Sequence, residues 1–168
     1  LKEIKRVNKN IILVVMSGRP LDLTWEDKNI PAIVQAWQLG SKSGDAIAEV
    51  LYGDYNPSGK LTMSFPRNVG QVPIYYNFKN TGRPSTSIEQ VTNSGYADVE
   101  NSPLYSFGYG LSYTDFTYSD FEISSNSMTK NSKINASVKV TNTGSFTGEE
   151  VVQLYLRDIV GSIARPMK

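Results

Sequence analysis

The unbroken apolar run from Ile11 to Met16, IILVVM, constrains this chain more than any other feature. A strand that is apolar on both faces must be covered on both, which is the habit of parallel sheets layered with helices. The residues before it agree. Leu1, Ile4 and Val7 fall at helical spacing among charged residues, and Asn8 to Asn10 break the pattern, so a helix is expected to feed a buried strand. Ser17-Gly18-Arg19-Pro20 then reads as the loop at the strand's end.

A second strand is expected at Ala32 to Trp37. The turn-rich LGSKSG leads into GDAIAEVLYG, where Ala46, Ile47, Val50 and Leu51 share one helical face and Gly53 supplies a natural stop. Asn56-Pro57-Ser58-Gly59 turns the chain into KLTMSF, whose alternating Leu61, Met63 and Phe65 predict a third strand. From Pro66 to Pro103 neither period is sustained among the many Pro, Gly, Asn, Ser and Thr residues, so this stretch reads as a long irregular loop carrying scattered tyrosines.

After FGYGLSYT the pattern changes. FTYSDFEIS, KINASVKVTNTG and EEVVQLYLRD alternate in polarity with turns between them, as in a β-sandwich, and TNTGSFTG reads as a hairpin-like connection. An immunoglobulin-like sandwich needs about seven strands; only three or four are written here. The fold expected is thus a partial α/β layered domain over residues 1–114, followed by an incomplete all-β fibronectin type III or immunoglobulin-like sandwich over 115–168, with further chain expected on both sides.

Composition excludes several chemistries. The 168 residues contain no Cys and no His, which removes disulfides, thiolate nucleophiles, imidazole triads and the commonest metal sites. A net charge of +1 with no basic cluster gives no footprint for nucleic acid, and no apolar run approaches the length of a membrane span. GDYNPSGK resembles a phosphate loop only superficially: it follows a helix instead of opening one, and Leu61 stands where Ser or Thr is required. No cofactor and no metal are expected.

VVMSGRPLDL, AWQLGSKSGDAIAEVLYGDYNPSGKLTMSFPRNVGQVPIYYN, NTGRP and PLYSFGYGLSYT, in that order and spacing, resemble the second domain of family 3 glycoside hydrolases, especially bacterial periplasmic β-glucosidases. VKVTNTGSFTGEEVVQLYLRD resembles the start of the fibronectin type III-like domain that follows in these enzymes. The resemblance implies a retaining, exo-acting enzyme that removes terminal β-D-glucosyl or related residues from oligosaccharides or aryl glycosides. It implies a periplasmic or secreted location. The nucleophilic Asp on a (β/α)8 barrel and the acid/base Glu would both lie upstream of Leu1, so no catalytic residue is assigned to this chain.

Retention requires two carboxyl groups about 5–5.5 Å apart. The candidate acids are Asp22, Glu26, Asp27, Asp45, Glu49, Asp54, Asp98, Glu100, Glu149 and Glu150. Neighbours such as Glu149 and Glu150 point to opposite faces of a strand and cannot form the pair. Asp45 suits the free N–H groups at a helix start, and Asp54 suits the DYNPSG turn. Arg19 and Arg83 stand in Gly-Arg-Pro loops, where a guanidinium can fork onto carboxylates or sugar hydroxyls; for Arg19 pairing with acids is the expectation, and for Arg83 both readings stay open. Among Trp37, Tyr55, Tyr75, Tyr76 and Tyr96, aromatic faces can serve as sugar platforms or as packing. The substrate-binding candidates are Arg83, Tyr76 and Trp37. The alternative is a non-catalytic carbohydrate-binding or protein-interaction module, and a homodimer is a candidate assembly in which the 66–103 loop reaches a neighbouring subunit.

Overall fold

A computed structural model describes residues 1–79, 82–84, 94–163 and 167. Part of the long loop (80–81 and 85–93) and most of the terminal SIARPMK therefore lie outside the described residues. The chain forms two compact units. One comprises residues 1–47, 60–110 and 152–168, the other residues 48–59 and 111–151.

In the first unit α1 (Lys2–Val7) leads into β1 (Ile12–Val15), as the apolar spacing and the Asn8 break require. Helix α2 (Thr24–Asn29) then crosses to β2 (Ala32–Gln35), which pairs with β1 in parallel, Ile12 opposite Ala32 and Val15 opposite Gln35. Parallel strands need such a crossover. Sequence reading missed α2, although Asp22 two residues ahead of Thr24, with Glu26 and Asp27 in the first turn, is a helix-start signature. β2 also ends at Gln35, so Ala36 and Trp37 fall beyond the strand.

Helix α3 (Ser43–Tyr52) follows, and Gly53 ends it at φ +82°, a conformation that costs residues with a Cβ. The expected strand over Leu61 to Phe65 is present only as backbone pairing with residues 104–109. Leu61 N–H donates to the Tyr109 carbonyl at 2.8 Å, Phe65 N–H to the Tyr105 carbonyl at 2.8 Å, and Leu104 N–H to the Phe65 carbonyl at 2.8 Å. Phe65 is consequently the best-buried apolar residue among those described, 1% exposed, in a cluster with Val15 and Leu23. Trp37 and Tyr105 meet its ring edge-on at 5.9 and 6.0 Å.

The irregular stretch after Pro66 holds a single 3-10 turn, Val69–Gln71, among its described residues. A polar clasp closes its base. Gln71, 1% exposed, accepts from Arg67 N–H and donates from Nε2 to the Glu100 carbonyl at 2.7 Å. The Arg67 guanidinium donates to the Ser102 carbonyl and hydroxyl at 3.1 Å each and pairs with Glu100 at 2.9 Å. Side chains thus supply the partners that a sheet would otherwise give to this backbone.

In the second unit β3 (Phe116–Ile123) and β4 (Ala136–Asn142) form an antiparallel pair. The register shifts between Ser119 and Glu122, where Asp120 takes φ +52°, the mark of a β-bulge. Asn142 organises the following turn: its side chain accepts from Gly144 N–H at 3.1 Å and from the Thr114 hydroxyl at 2.7 Å, and donates to the Phe146 carbonyl at 2.8 Å. Buried Asn56 accepts from Tyr113 N–H at 2.6 Å and the Ser112 hydroxyl at 3.1 Å, taking the turn-organising role expected of Asp54.

Residues 149–158 form no strand, contrary to their alternation. No neighbouring strand among the described residues is there to pair with them, and an alternating pattern alone does not hold a strand in place. Glu149 and Glu150 instead accept from Tyr55 and Tyr118 in the second unit, at 3.3 and 2.9 Å. Gln153 and Tyr155 belong to the first unit, where Gln153 Nε2 donates to the Gly108 carbonyl at 2.9 Å.

Two substitutions test this account. Phe65→Ala is expected to destabilise the first unit by about 3–5 kcal/mol, the usual range for removing a buried phenylalanine, read from urea unfolding followed by Trp fluorescence. Gln71→Ala leaves the Arg67 amide and the Glu100 carbonyl without partners and is expected to cost about 1–3 kcal/mol, with faster hydrogen exchange at the Arg67 amide.

Candidate functional site

The loops at the carboxyl ends of β1 and β2 are the natural place to look, since ligands of open parallel sheets bind beyond those ends. At the end of β1, Ser17 Oγ accepts from Arg19 N–H at 3.2 Å and bonds the Arg19 carbonyl in return, which fixes the loop and leaves Arg19 exposed. At the end of β2, Trp37 takes φ +51°, uncommon for a bulky residue. Its half-buried ring packs on the Phe65 cluster, so Trp37 serves as core packing here, with only part of the indole open to solvent.

Tyr76 lies elsewhere in the first unit. Its ring stacks on Phe107 at 4.4 Å with 24° between planes and meets Tyr155 edge-on at 6.1 Å, while its hydroxyl donates to the Met167 carbonyl at 3.3 Å. Glycine is required at Gly108 beside it: φ is +81°, and a Cβ would collide with the Gln153 side chain. Arg83 is exposed, and its carbonyl accepts from Ser94 N–H at 2.7 Å, which ties the two described parts of the loop together. Among the described residues no hydrogen bond or ring contact joins Trp37, Tyr76 and Arg83 to one another.

The carboxylates are dispersed. Asp27 accepts from the Tyr105 hydroxyl at 2.6 Å; burial, that hydrogen bond and the Asp27 charge together push the Tyr105 phenol well above its ordinary range, so it stays a donor. Tyr105 in turn stacks on Tyr109 at 5.3 Å. Asp45 sits in the first turn of α3, paired with Lys42 at 2.9 Å, as its position predicts. Glu100 is held in the clasp by Arg67, and Glu149 and Glu150 each bond a different tyrosine. None of these arrangements presents two carboxyl groups to one enclosed space.

Asp22 and Glu26 do border a common depression, open and about 420 Å³ in volume, together with Thr24, Trp25, Lys28 and Arg67. Asp22 accepts from Thr24 N–H at 3.0 Å, and the Thr24 hydroxyl donates to the Arg67 carbonyl at 2.5 Å. Sequence reading singled out the two acids but not Trp25, Lys28 or Arg67. Arg67 is 43 residues from Thr24 along the chain, and no local pattern announces that contact. No group of metal-ligating side chains is found among the described residues, and none of their helices is long and apolar enough to cross a membrane.

Comparison with known proteins places this framework. The family model described as the glycosyl hydrolase family 3 C-terminal domain matches residues 1–113. A periplasmic beta-glucosidase of Salmonella typhimurium is 52% identical over 166 residues, covering 98% of this chain and 22% of that protein. A beta-xylosidase of Formosa agariphila is 43% identical, again over 98% of this chain and 22% of the relative. The crystal structure of beta-glucosidase from Listeria innocua in complex with glucose superposes with a TM-score of 0.87 at 36% identity, over 98% of this chain and 23% of that one. The chain thus spans about a fifth of the length of the curated relatives it matches. By the family-model match, this chain belongs to glycosyl hydrolase family 3, in the region of its C-terminal domain.

Proposed function

We propose that this chain is the C-terminal portion of a retaining, exo-acting β-glucosidase that hydrolyses terminal β-D-glucosyl or related residues, and that the chain by itself is catalytically inactive. The observation that carries the reading is end-to-end similarity to beta-glucosidases, at 52% identity and at a TM-score of 0.87, by a chain amounting to about a fifth of their length. Apart from Asp22 and Glu26, which border one open depression, the candidate carboxylates described are dispersed, which supports the inactive part, since a retaining pair about 5–5.5 Å apart is the minimum the chemistry needs. The nucleophilic Asp and the acid/base Glu then belong to other segments of the whole protein, and this chain acts as the scaffold at the pocket's edge.

Within that reading residues 1–114 form the α/β domain, and 115–168 begin a fibronectin type III-like sandwich of which β3 and β4 are two strands. The twin exposed faces of that pair, with Tyr118 and Phe121 49% and 64% exposed, are what an unfinished sandwich would leave open. Arg83 and Tyr76 contact the sugar beyond the scissile bond, and Trp37 contributes through the open part of its ring. The substrate is an oligosaccharide or aryl glycoside, the location periplasmic or secreted as for the Salmonella relative, and the assembly a homodimer. The beta-xylosidase relative widens the sugar class from glucosyl to related pyranosyl groups.

Assays with p-nitrophenyl β-D-glucopyranoside and the corresponding xyloside test this directly. The 168-residue chain is expected to show no turnover above buffer, and the product of the whole reading frame to release nitrophenol with retention at the anomeric carbon; hydrolysis by the chain alone would refute the reading. In the whole protein Arg83→Ala is expected to lower kcat/KM for a disaccharide by about ten-fold, or about 1.4 kcal/mol, chiefly through KM. Unchanged kinetics would remove Arg83 from the substrate's surroundings.

A further inference from the structure

Strands β1 and β2 make a two-stranded parallel sheet, and among the described residues no third strand joins it. Two strands are too few to stand alone, and a parallel sheet is ordinarily covered on both faces. The backbone shows which groups are left over. Ala36 N–H donates to the Val15 carbonyl at 2.8 Å, so Val15 and, two residues back, Leu13 turn their peptide groups toward β2. Ile12, Val14 and Met16 therefore turn theirs the other way, along an edge of β1 with no strand beside it among the described residues. By the same alternation Ile33 and Gln35 line the outer edge of β2.

Helix α1 decides between the two edges. Its Lys5 ammonium donates to the Asn29 carbonyl at the end of α2, and its Lys2 ammonium lies 5.5 Å from the Trp25 ring centre. These contacts set α1 beside α2, on the same face of the sheet. α2 belongs to the crossover from β1 to β2, and such crossovers are nearly always right-handed. A strand that enters β1 through α1, by a crossover of the same hand on the same face, lies one place further from β2. That place is the open edge of β1.

The side chains agree. Leu1, Ile4 and Val7 fall on one stripe of α1, no residue of this helix is buried, and Ile4 and Val7 stay 55% and 80% exposed. Asn8 to Ile11 alone separate α1 from β1, so stripe and edge are neighbours. One strand covers both, with its backbone paired to β1 and its apolar side chains under the helix. A second copy of this chain joined edge to edge about a two-fold axis would instead pair the two β1 strands antiparallel, in a sheet whose pairing is parallel.

We propose that the open edge of β1 is the docking surface for a parallel β-strand supplied by the segment of the same polypeptide that precedes α1. The proposal rests on reading this chain as a portion of a longer protein, and a chain covering 22% of the Salmonella relative leaves ample polypeptide for it. The strand order is then the docked strand, β1 and β2, with three carboxyl ends on one rim. The loop leaving the docked strand emerges beside Ser17 to Pro20, where Arg19 is exposed and makes no ion pair among the described residues. Open parallel sheets bind ligands beyond those ends, so docking brings residues of another segment to the rim that this chain half builds.

Amide hydrogen exchange on the product of the whole reading frame, resolved residue by residue with fragmentation mass spectrometry, tests the edge. The Val14 and Met16 amides are expected to exchange about 100-fold or more below the rate of unprotected amides. Replacing the exposed Ile12 by the photo-reactive p-benzoylphenylalanine tests the occupant. Its cross-link is expected to fall on the strand directly upstream of α1 in the same molecule. Unprotected Val14 and Met16 amides, or a cross-link solely to a second copy or to a segment that follows β1, would overturn the proposal. Hydrolysis of p-nitrophenyl β-D-glucopyranoside is read on the same preparation: an active enzyme with unprotected β1 amides refutes the docking alone, and a paired edge without hydrolysis refutes the glycosidase reading alone.

Discussion

Phe65 is the point at which the first unit is joined. Its ring carries the edges of Trp37 and Tyr105, its side chain lies against Val15 of β1 and Leu23 ahead of α2, and its backbone pairs with Leu104 and Tyr105. Through it the parallel pair, the turn beyond β2 and the return of the long loop are fixed to one another. The clasp of Arg67, Gln71, Glu100 and Ser102 begins two residues later and inherits its position from that anchor. Arg67 then frames the depression beside α2, so core, clasp and depression form one connected sequence of contacts.

Beyond that anchor the core is small. Among the described residues Val15, Leu23, Ile30, Ala36 and Phe65 are the buried apolar ones, while Leu154, Leu156 and Val160 stay 75%, 71% and 91% exposed. Large apolar side chains left this exposed in numbers are ordinarily covered by protein. Under the proposed function the rest of the polypeptide supplies that cover, which explains how strand-like segments such as 149–158 carry an alternating pattern without forming a strand here.

Local sequence was a good guide wherever the structure is decided locally. ILVV and AIVQ pair as strands although Ile12 stays 53% exposed, α3 follows its 3.6-residue stripe, and Gly53 ends it by its positive φ. Pattern failed where partners decide. Leu61 to Phe65 alternates but pairs through scattered bonds, and α2 was hidden because six residues are too few for a stripe to show. At the site, Trp37 looked like a loop aromatic and is half core, since nothing in its neighbourhood of sequence reveals Phe65 28 positions on. Asn56, Gln71 and Arg67 were overlooked for the same reason: a polar residue becomes structural only when distant backbone groups converge on it. The family resemblance over residues 1–113, by contrast, was legible in the sequence, because ordered motifs do not depend on contacts.

The central claim is that catalytic carboxylates reach this scaffold from other parts of one polypeptide. Sequencing the coding DNA on both sides of the 168 codons tests it most directly. The account predicts one open frame that runs upstream through a (β/α)8 barrel bearing an Asp nucleophile and a later acid/base Glu, and downstream through further strands. A start codon immediately before Leu1 with a stop codon after Lys168 would contradict it and leave a module without glycosidase chemistry.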